Sequence, residues 1–128
     1  MTSKEGTTAL VTGASSGIGE ATARALRAQG INVLAAARRI DRLERLADET
    51  GCIPIQLDVR DRQGVVKLGE SYPIDILINN AGLGRALGSI WEAEIEDIEM
   101  TVDTNLTSAI LVIKSVLPGM IERGRGHI

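Results

Sequence analysis

The sequence is poor in the residues that staple, coordinate or titrate. Among 128 residues it has one cysteine, Cys52, one histidine, His127, and one tyrosine, Tyr72. A lone cysteine excludes an internal disulfide, and one thiol without a nearby cluster of histidines and cysteines makes no metal site. No metal is therefore expected, and a reducing cytoplasm is the compartment the sequence suits. A surplus of charge is missing too. Fourteen Lys and Arg stand against 17 Asp and Glu, for a net charge of −3, so bulk charge gives no reason to expect nucleic acid or an acidic membrane as partner. The opening Met1-Thr2-Ser3-Lys4-Glu5-Gly6 has no apolar signal core, and the one long apolar stretch, 106–121, is interrupted by Lys114 and Pro118. The chain reads as soluble, with no membrane partner.

What is present is an ordinary globular mixture, 44% hydrophobic and 24% charged, enough for one domain over residues 1–128. Thr8-Ala9-Leu10-Val11 is an apolar run that ends in a glycine-rich turn, the pattern of a strand buried on both faces that opens into a helix. A helix is expected over 17–29, with Gly30 at its C-terminal cap, then a strand over 32–36. Residues 39–50 place Leu43, Leu46 and Ala47 on one stripe, a helix lying on a sheet that Gly51 ends. A third strand over 53–59 tolerates Pro54 near its start or on an edge. A weaker helix over 62–71 leads to the most hydrophobic strand, 75–79. A short acidic helix over 91–100 and a long apolar one over 102–123 follow, and Gly124-Arg125-Gly126-His127-Ile128 reads as a turn into a fifth strand. Strands alternating with helices imply an α/β, doubly wound, Rossmann-type parallel sheet in three layers.

Directly after the first strand stands Thr12-Gly13-Ala14-Ser15-Ser16-Gly17-Ile18-Gly19. Glycines so placed let the chain turn tightly, let a pyrophosphate approach the main chain and let the helix pack close to the sheet. The free N–H groups and positive dipole end of that helix would face the phosphates. Cofactor choice follows from charge. NAD-binding folds place a carboxylate about 20 residues past the glycines, for the ribose hydroxyls, where NADP-binding folds place arginine for the 2′-phosphate. The second strand here ends in Ala35-Ala36-Ala37-Arg38-Arg39, with no acidic residue. Arg38 is therefore the leading 2′-phosphate ligand, with Arg39 assisting, and NADP is the expected cofactor.

The glycine segment resembles the TGxxxGxG fingerprint of the short-chain dehydrogenase/reductase family, and Asn79-Asn80-Ala81-Gly82 after the fourth strand resembles that family's NNAG motif. The resemblance implies cofactor contacts from Gly13, Ser15, Ser16, Gly17, Ile18 and Gly19, and from Asn80, Ala81 and Gly82. It implies an adenine contact at Asp58 with Val59 beside it, and a catalytic asparagine at Asn105, which would kink its helix and hold a water in the proton relay. Ala36-Ala37-Arg38-Arg39, Leu57-Asp58-Val59-Arg60 and Val116-Leu117-Pro118-Gly119-Met120 are similar to the branch that oxidises 3-hydroxy acids and serine with NADP. Its reaction is hydride transfer between a nicotinamide and a secondary alcohol or ketone, so the expected partner is a small alcohol or carbonyl compound.

The sequence departs from this family where the chemistry would lie. The family's serine, tyrosine and lysine belong to the fifth strand and the helix after it, and the chain ends as that strand begins. Tyr72 cannot replace the tyrosine, since the residue four positions on is Ile76 and not a lysine, and an unassisted phenol with a pKa of about 10 is a poor base at neutral pH. Three readings follow: part of a full reductase, a nucleotide-binding or interaction module without catalysis, or a frameshifted product that does not fold. In each, the 128 residues alone are expected to be inactive. With strand order 3-2-1-4-5, loss of strand five would leave strand four as a bare apolar edge. The helix over 102–123, apolar nearly all round, should be buried on one side by the sheet and on the other by a second copy, giving a homo-oligomer.

Overall fold

The computed structural model describes residues 6–85 and 87–128. The opening segment read above for a signal core lies mostly outside the described residues. Four parallel strands, β1 (Thr8–Thr12), β2 (Asn32–Ala37), β3 (Ile53–Gln56) and β4 (Ile76–Ile78), form one sheet in the order β3-β2-β1-β4. They are joined by α1 (Gly17–Ala28), α2 (Ile40–Thr50) and α3 (Arg62–Ser71).

The three layers follow from strand periodicity. Successive side chains of a strand point to opposite faces. Leu10, Leu34, Ala36 and Leu77 therefore pack with Val65 and Leu68 of α3 and with Val112, Val116 and Met120 of α5 (Ser108–Arg123). Ala9, Val11, Val33, Ala35 and Ala37 pack on the other face with Ala23 of α1 and with Leu43 and Leu46 of α2. Both faces are covered, so β1 is buried at every position. The small side chains of β2 match the close approach of helices on either side.

Several boundaries differ from the sequence reading. β3 stops at Gln56 rather than at 59, because Asp58 folds its carboxylate back onto the main-chain N–H of Arg60 at 3.0 Å, and its carbonyl accepts from Asp61 N–H at 2.8 Å. Such an Asx turn ends a strand by offering the backbone a local partner. Asp61 then caps α3, its carboxylate accepting from Gly64 N–H at 3.1 Å. The acidic helix expected over 91–100 splits into a 3₁₀ turn, Ile90–Glu92, and α4, Ile95–Val102, with Ala93 and Glu94 extended between them.

The long helix expected over 102–123 is interrupted at its start. α4 passes into α5 through a π-helical turn, Asp103–Thr107. Thr104, Ser108, Val112, Val116 and Met120, four residues apart, form its buried stripe. Leu106, Ile110, Leu117 and Ile121 face outward instead of being buried, because the chain itself covers only one side. By length and composition the run Ile95–Arg123 could also cross a membrane, though its inner stripe is committed to the sheet and α3. α3 and α5 approach so closely that a Cβ on Gly69 would lie 2.4 Å from the Ser115 carbonyl oxygen.

The edge of β4 is partly occupied. His127 pairs in parallel with Ile76, its N–H donating to the Asp75 carbonyl and its carbonyl accepting from Leu77 N–H, both at 2.9 Å. The buried Asp75 carboxylate anchors this segment: it accepts from Thr8 N–H at 3.1 Å and meets Arg123 at 3.4 Å and Arg125 at 3.3 Å. The expectation of a wholly bare edge is thus corrected by the first step of strand-five pairing.

Candidate nucleotide-binding site

The C-terminal ends of parallel strands leave a crevice where the chain leaves β1 for one face of the sheet and β4 for the other. A cleft of about 210 Å³ opens there, lined by segments following all four strands. Gly13, Ser15 and Ser16 come from the turn after β1, Arg38 and Arg39 from the end of β2, Asp58, Val59 and Arg60 from beyond β3, and Asn80, Ala81 and Gly82 from beyond β4.

The first and last of these segments are tied together. The Thr12 hydroxyl, fully buried, accepts from the N–H groups of Asn80 at 3.0 Å and Ala81 at 2.9 Å. The Asn80 amide donates back to the carbonyls of Thr12 at 3.1 Å and Gly13 at 3.3 Å. Gly13 adopts φ +63°, and a Cβ on it would lie 2.9 Å from the Asn80 amide nitrogen. A Cβ on Gly19 would come within 2.2 Å of the Gly13 carbonyl oxygen, so α1 starts closer to the turn than any side chain permits. Ser16, Gly17 and Ile18, where α1 begins, are exposed, and no side chain caps that helix. Its first N–H groups carry the positive end of the helix dipole.

The two arginines behave differently. Arg39 reaches across the cleft, its guanidinium donating to the hydroxyls of Ser15 at 3.1 Å and Ser16 at 3.2 Å. Arg38 is exposed, and its side chain makes no hydrogen bond among the described residues. Its carbonyl accepts from the Gln56 amide at 3.2 Å, which holds the end of β2 to β3. On the far side, burial pushes the Asp58 carboxyl up, but hydrogen bonds from the Arg60 side chain and main chain, helped by the charges of Arg60 and Arg38, bring it below its ordinary range. Asp58 is thus a carboxylate held by Arg60 at 3.1 Å.

Asn105 sits in the π-helical turn, a feature frequent at functional sites. Its side chain clamps the strand of chain beyond β4 in both directions: Leu83 N–H donates to Oδ1 at 2.8 Å, and Nδ2 donates to the Leu83 carbonyl at 2.7 Å. A Cβ on Gly82 would lie 3.1 Å from Asn105 Oδ1. The asparagine and the segment after Asn80 are therefore neighbours.

Sequence reasoning passed over three residues. Thr12 carries the turn, Arg60 holds Asp58, and Thr104 lines the cleft with a buried hydroxyl. A hydroxyl at the last strand position before the glycines, and an arginine two residues after Asp58, were the available signals. Tyr72 and His127 lie elsewhere. Tyr72 lines a separate groove between α3 and α5, and His127 pairs with the first residue of β4, whereas the cleft follows its last.

Residues 7–128 match the profile of the family described as short chain dehydrogenase. The chain belongs to the short-chain dehydrogenase family. Among its relatives in that family, the NADP-dependent 3-hydroxy acid dehydrogenase YdfG of Salmonella typhi is 45% identical over 126 residues, which cover 93% of this chain and 51% of that protein. A solved structure described as the closed form of serine dehydrogenase complexed with NADP+ superposes with a TM-score of 0.90 at 42% identity, covering 94% of this chain and 52% of that one. A metagenomic short-chain oxidoreductase solved in complex with NADP gives 0.92 at 29% identity, over 98% and 62% of the two chains. The chain thus spans about half the length of the relatives it matches.

Proposed function

We propose that this chain binds NADP(H) across the strand ends and forms the nucleotide-binding part of a dehydrogenase acting on a secondary alcohol or its ketone. The observation that carries the reading is the pair at the end of β2, Arg39 bonded to Ser15 and Ser16 and Arg38 exposed at the cleft, with no carboxylate at that strand end. Two guanidinium groups beside a helix start favour a ligand with both a pyrophosphate and an additional phosphate. The cradle has the right form: Gly13 and Gly19 let the turn after β1, Asn80 and the start of α1 pack together, and the Thr104 hydroxyl in the wall has no partner among the described residues.

In this reading, Arg38 takes the 2′-phosphate and Arg39, with Ser15 and Ser16, moves onto it. Gly17, Ile18 and Gly19 present the helix start to the pyrophosphate. Asp58 and Val59 meet the adenine, and Asn80, Ala81 and Gly82 form the floor towards the nicotinamide. The bound cofactor supplies the hydride-accepting ring. Asn105 holds the Leu83 main chain beside it and is the member of the proton relay carried by this chain. The names of the relatives suggest 3-hydroxy acids as the substrate class.

A second reading, nucleotide binding without turnover by these 128 residues, is favoured by Tyr72, the one tyrosine, lying in the groove between α3 and α5. The exposed apolar stripe of α5 supports self-association in both readings. Titration calorimetry with NADP+ and NAD+ tests the reading. Arg38→Ala should weaken NADP+ far more than NAD+, and equal losses for the two would sink the assignment of cofactor.

A further inference from the structure

We infer that the Thr104 hydroxyl reads the base of the bound nucleotide, as a hydrogen-bond partner to the purine ring. The inference rests on the nucleotide-binding reading above and adds a residue to it.

Threonines within helices usually satisfy their hydroxyl by bonding to the carbonyl four residues back. Three others here do so: Thr22 to Ile18 at 2.7 Å, Thr50 to Leu46 at 2.7 Å and Thr101 to Asp97 at 2.7 Å. Thr104 does not. It lies in the π-helical turn, is only 7% exposed, and its Oγ1 is the one buried side-chain polar atom without a hydrogen-bond partner among the described residues. A buried hydroxyl left unpaired is costly, and such groups in folded proteins call for an explanation. Thr104 also lines the nucleotide cleft, with its hydroxyl buried just beneath the wall, so that a turn of the side chain about Cα–Cβ brings it to a ligand there.

Its position is held from both sides. Arg62, at the start of α3, pairs with Asp103 and donates to Ser108 Oγ at 3.1 Å, while Asn105 is clamped to Leu83. The residue is thereby held at a fixed place, and its hydroxyl is not used by any of the described residues. Of the parts of an adenine dinucleotide phosphate, the base suits that place. The pyrophosphate belongs to the α1 start and the extra phosphate to Arg38 and Arg39. The base then continues from the end of β2 towards Asp58 and Val59, and Thr104 stands near them in the same wall, between Asp103 and Ser108, both of which Arg62 holds. A purine offers ring nitrogens that accept from a hydroxyl.

The test compares two small probes, adenosine 2′,5′-bisphosphate and its baseless counterpart ribose 2,5-bisphosphate, on the wild-type chain, Thr104→Val and Thr104→Ser. One lost hydrogen bond predicts that Thr104→Val binds the adenosine compound about five- to tenfold more weakly and the baseless compound unchanged. Thr104→Ser should bind both as the wild type does. Because valine fills the same space without an unpaired hydroxyl, Thr104→Val should melt at the same temperature as the ligand-free wild type or higher. A purely structural threonine would instead lower the melting temperature and weaken both probes alike. That outcome, or unchanged affinity of Thr104→Val for the adenosine compound, overturns the inference. A wild-type chain that binds neither probe overturns the nucleotide reading and this inference with it. A wild type that binds both, with Thr104→Val unaltered, overturns this inference alone.

Discussion

Thr12 and Asn80 are bonded in both directions: Asn80 N–H donates to the Thr12 hydroxyl at 3.0 Å, and the Asn80 side-chain amide donates to the Thr12 carbonyl at 3.1 Å. With Ala81 N–H on the same hydroxyl at 2.9 Å, this pair joins the turn after β1 to the segment after β4. The floor of the cleft is therefore one unit made from two distant stretches of chain. Thr12→Val preserves shape but takes the acceptor from Ala81 N–H and leaves Asn80 N–H with only the Ile78 carbonyl at 3.1 Å, in a half-buried place. The expected loss is roughly 1 to 2 kcal/mol of stability, measured by urea unfolding, with Thr12→Ser close to wild type. A loss below about 0.5 kcal/mol, the lower end for one ordinary hydrogen bond, would refute this role.

Asn105 clamps Leu83 through one donated and one accepted bond. Asn105→Ala removes both at an exposed position, which should cost about 1 kcal/mol. Asn105→Asp keeps the acceptor for Leu83 N–H but sets a carboxylate oxygen against the Leu83 carbonyl, so it should be no better than alanine. Hydrogen exchange at the Leu83 amide gives the direct reading: it should accelerate in Asn105→Ala, and an unchanged rate would show that the clamp does not persist in solution.

The Asp58 carboxyl lies below its ordinary range because the bonds from Arg60 outweigh the upward push of burial. A depressed carboxylate pKa contributes stability that is present above the unfolded value of about 3.9 and lost as pH falls through the folded value. Arg60→Ala should raise the Asp58 midpoint, followed by NMR of its carboxyl carbon. The variant should be slightly less stable than wild type above about pH 4 and equal to it in stronger acid, the difference being small because both groups are partly exposed. An unmoved midpoint would count against Arg60 as the cause.

Leu106, Ile110, Leu117 and Ile121 make an apolar stripe along one exposed side of the helix, with Ile110 at 55% and Ile121 at 70% exposure. A contiguous exposed patch of this kind favours association. Sedimentation velocity should find the wild-type chain larger than a monomer, and Ile110→Glu with Ile121→Glu should shift it to monomer with its helical circular dichroism intact. A wild-type chain that sediments as a monomer at micromolar concentration would contradict this.

Local patterning in the sequence was enough for the layers and the order of elements, since the unbroken apolar runs of β1 and β2 and the single stripe of α2 are properties of neighbouring residues. Both glycine-rich segments were legible as well, because tight turns demand particular residues at particular positions. The identities of Arg38 and Arg39 were also in the sequence, but not their division of labour: only folding brings Arg39 to Ser15 and Ser16 and leaves Arg38 facing open solvent. The early end of β3, the π-helical turn under Asn105 and the unpaired hydroxyl of Thr104 were decided by tertiary structure. Each depends on which polar groups find partners, and for Asn105 that partner lies 22 residues away in the chain. Periodicity along the sequence reports which side of an element is apolar. Pairing between distant polar groups is settled only once the sheet has set their positions.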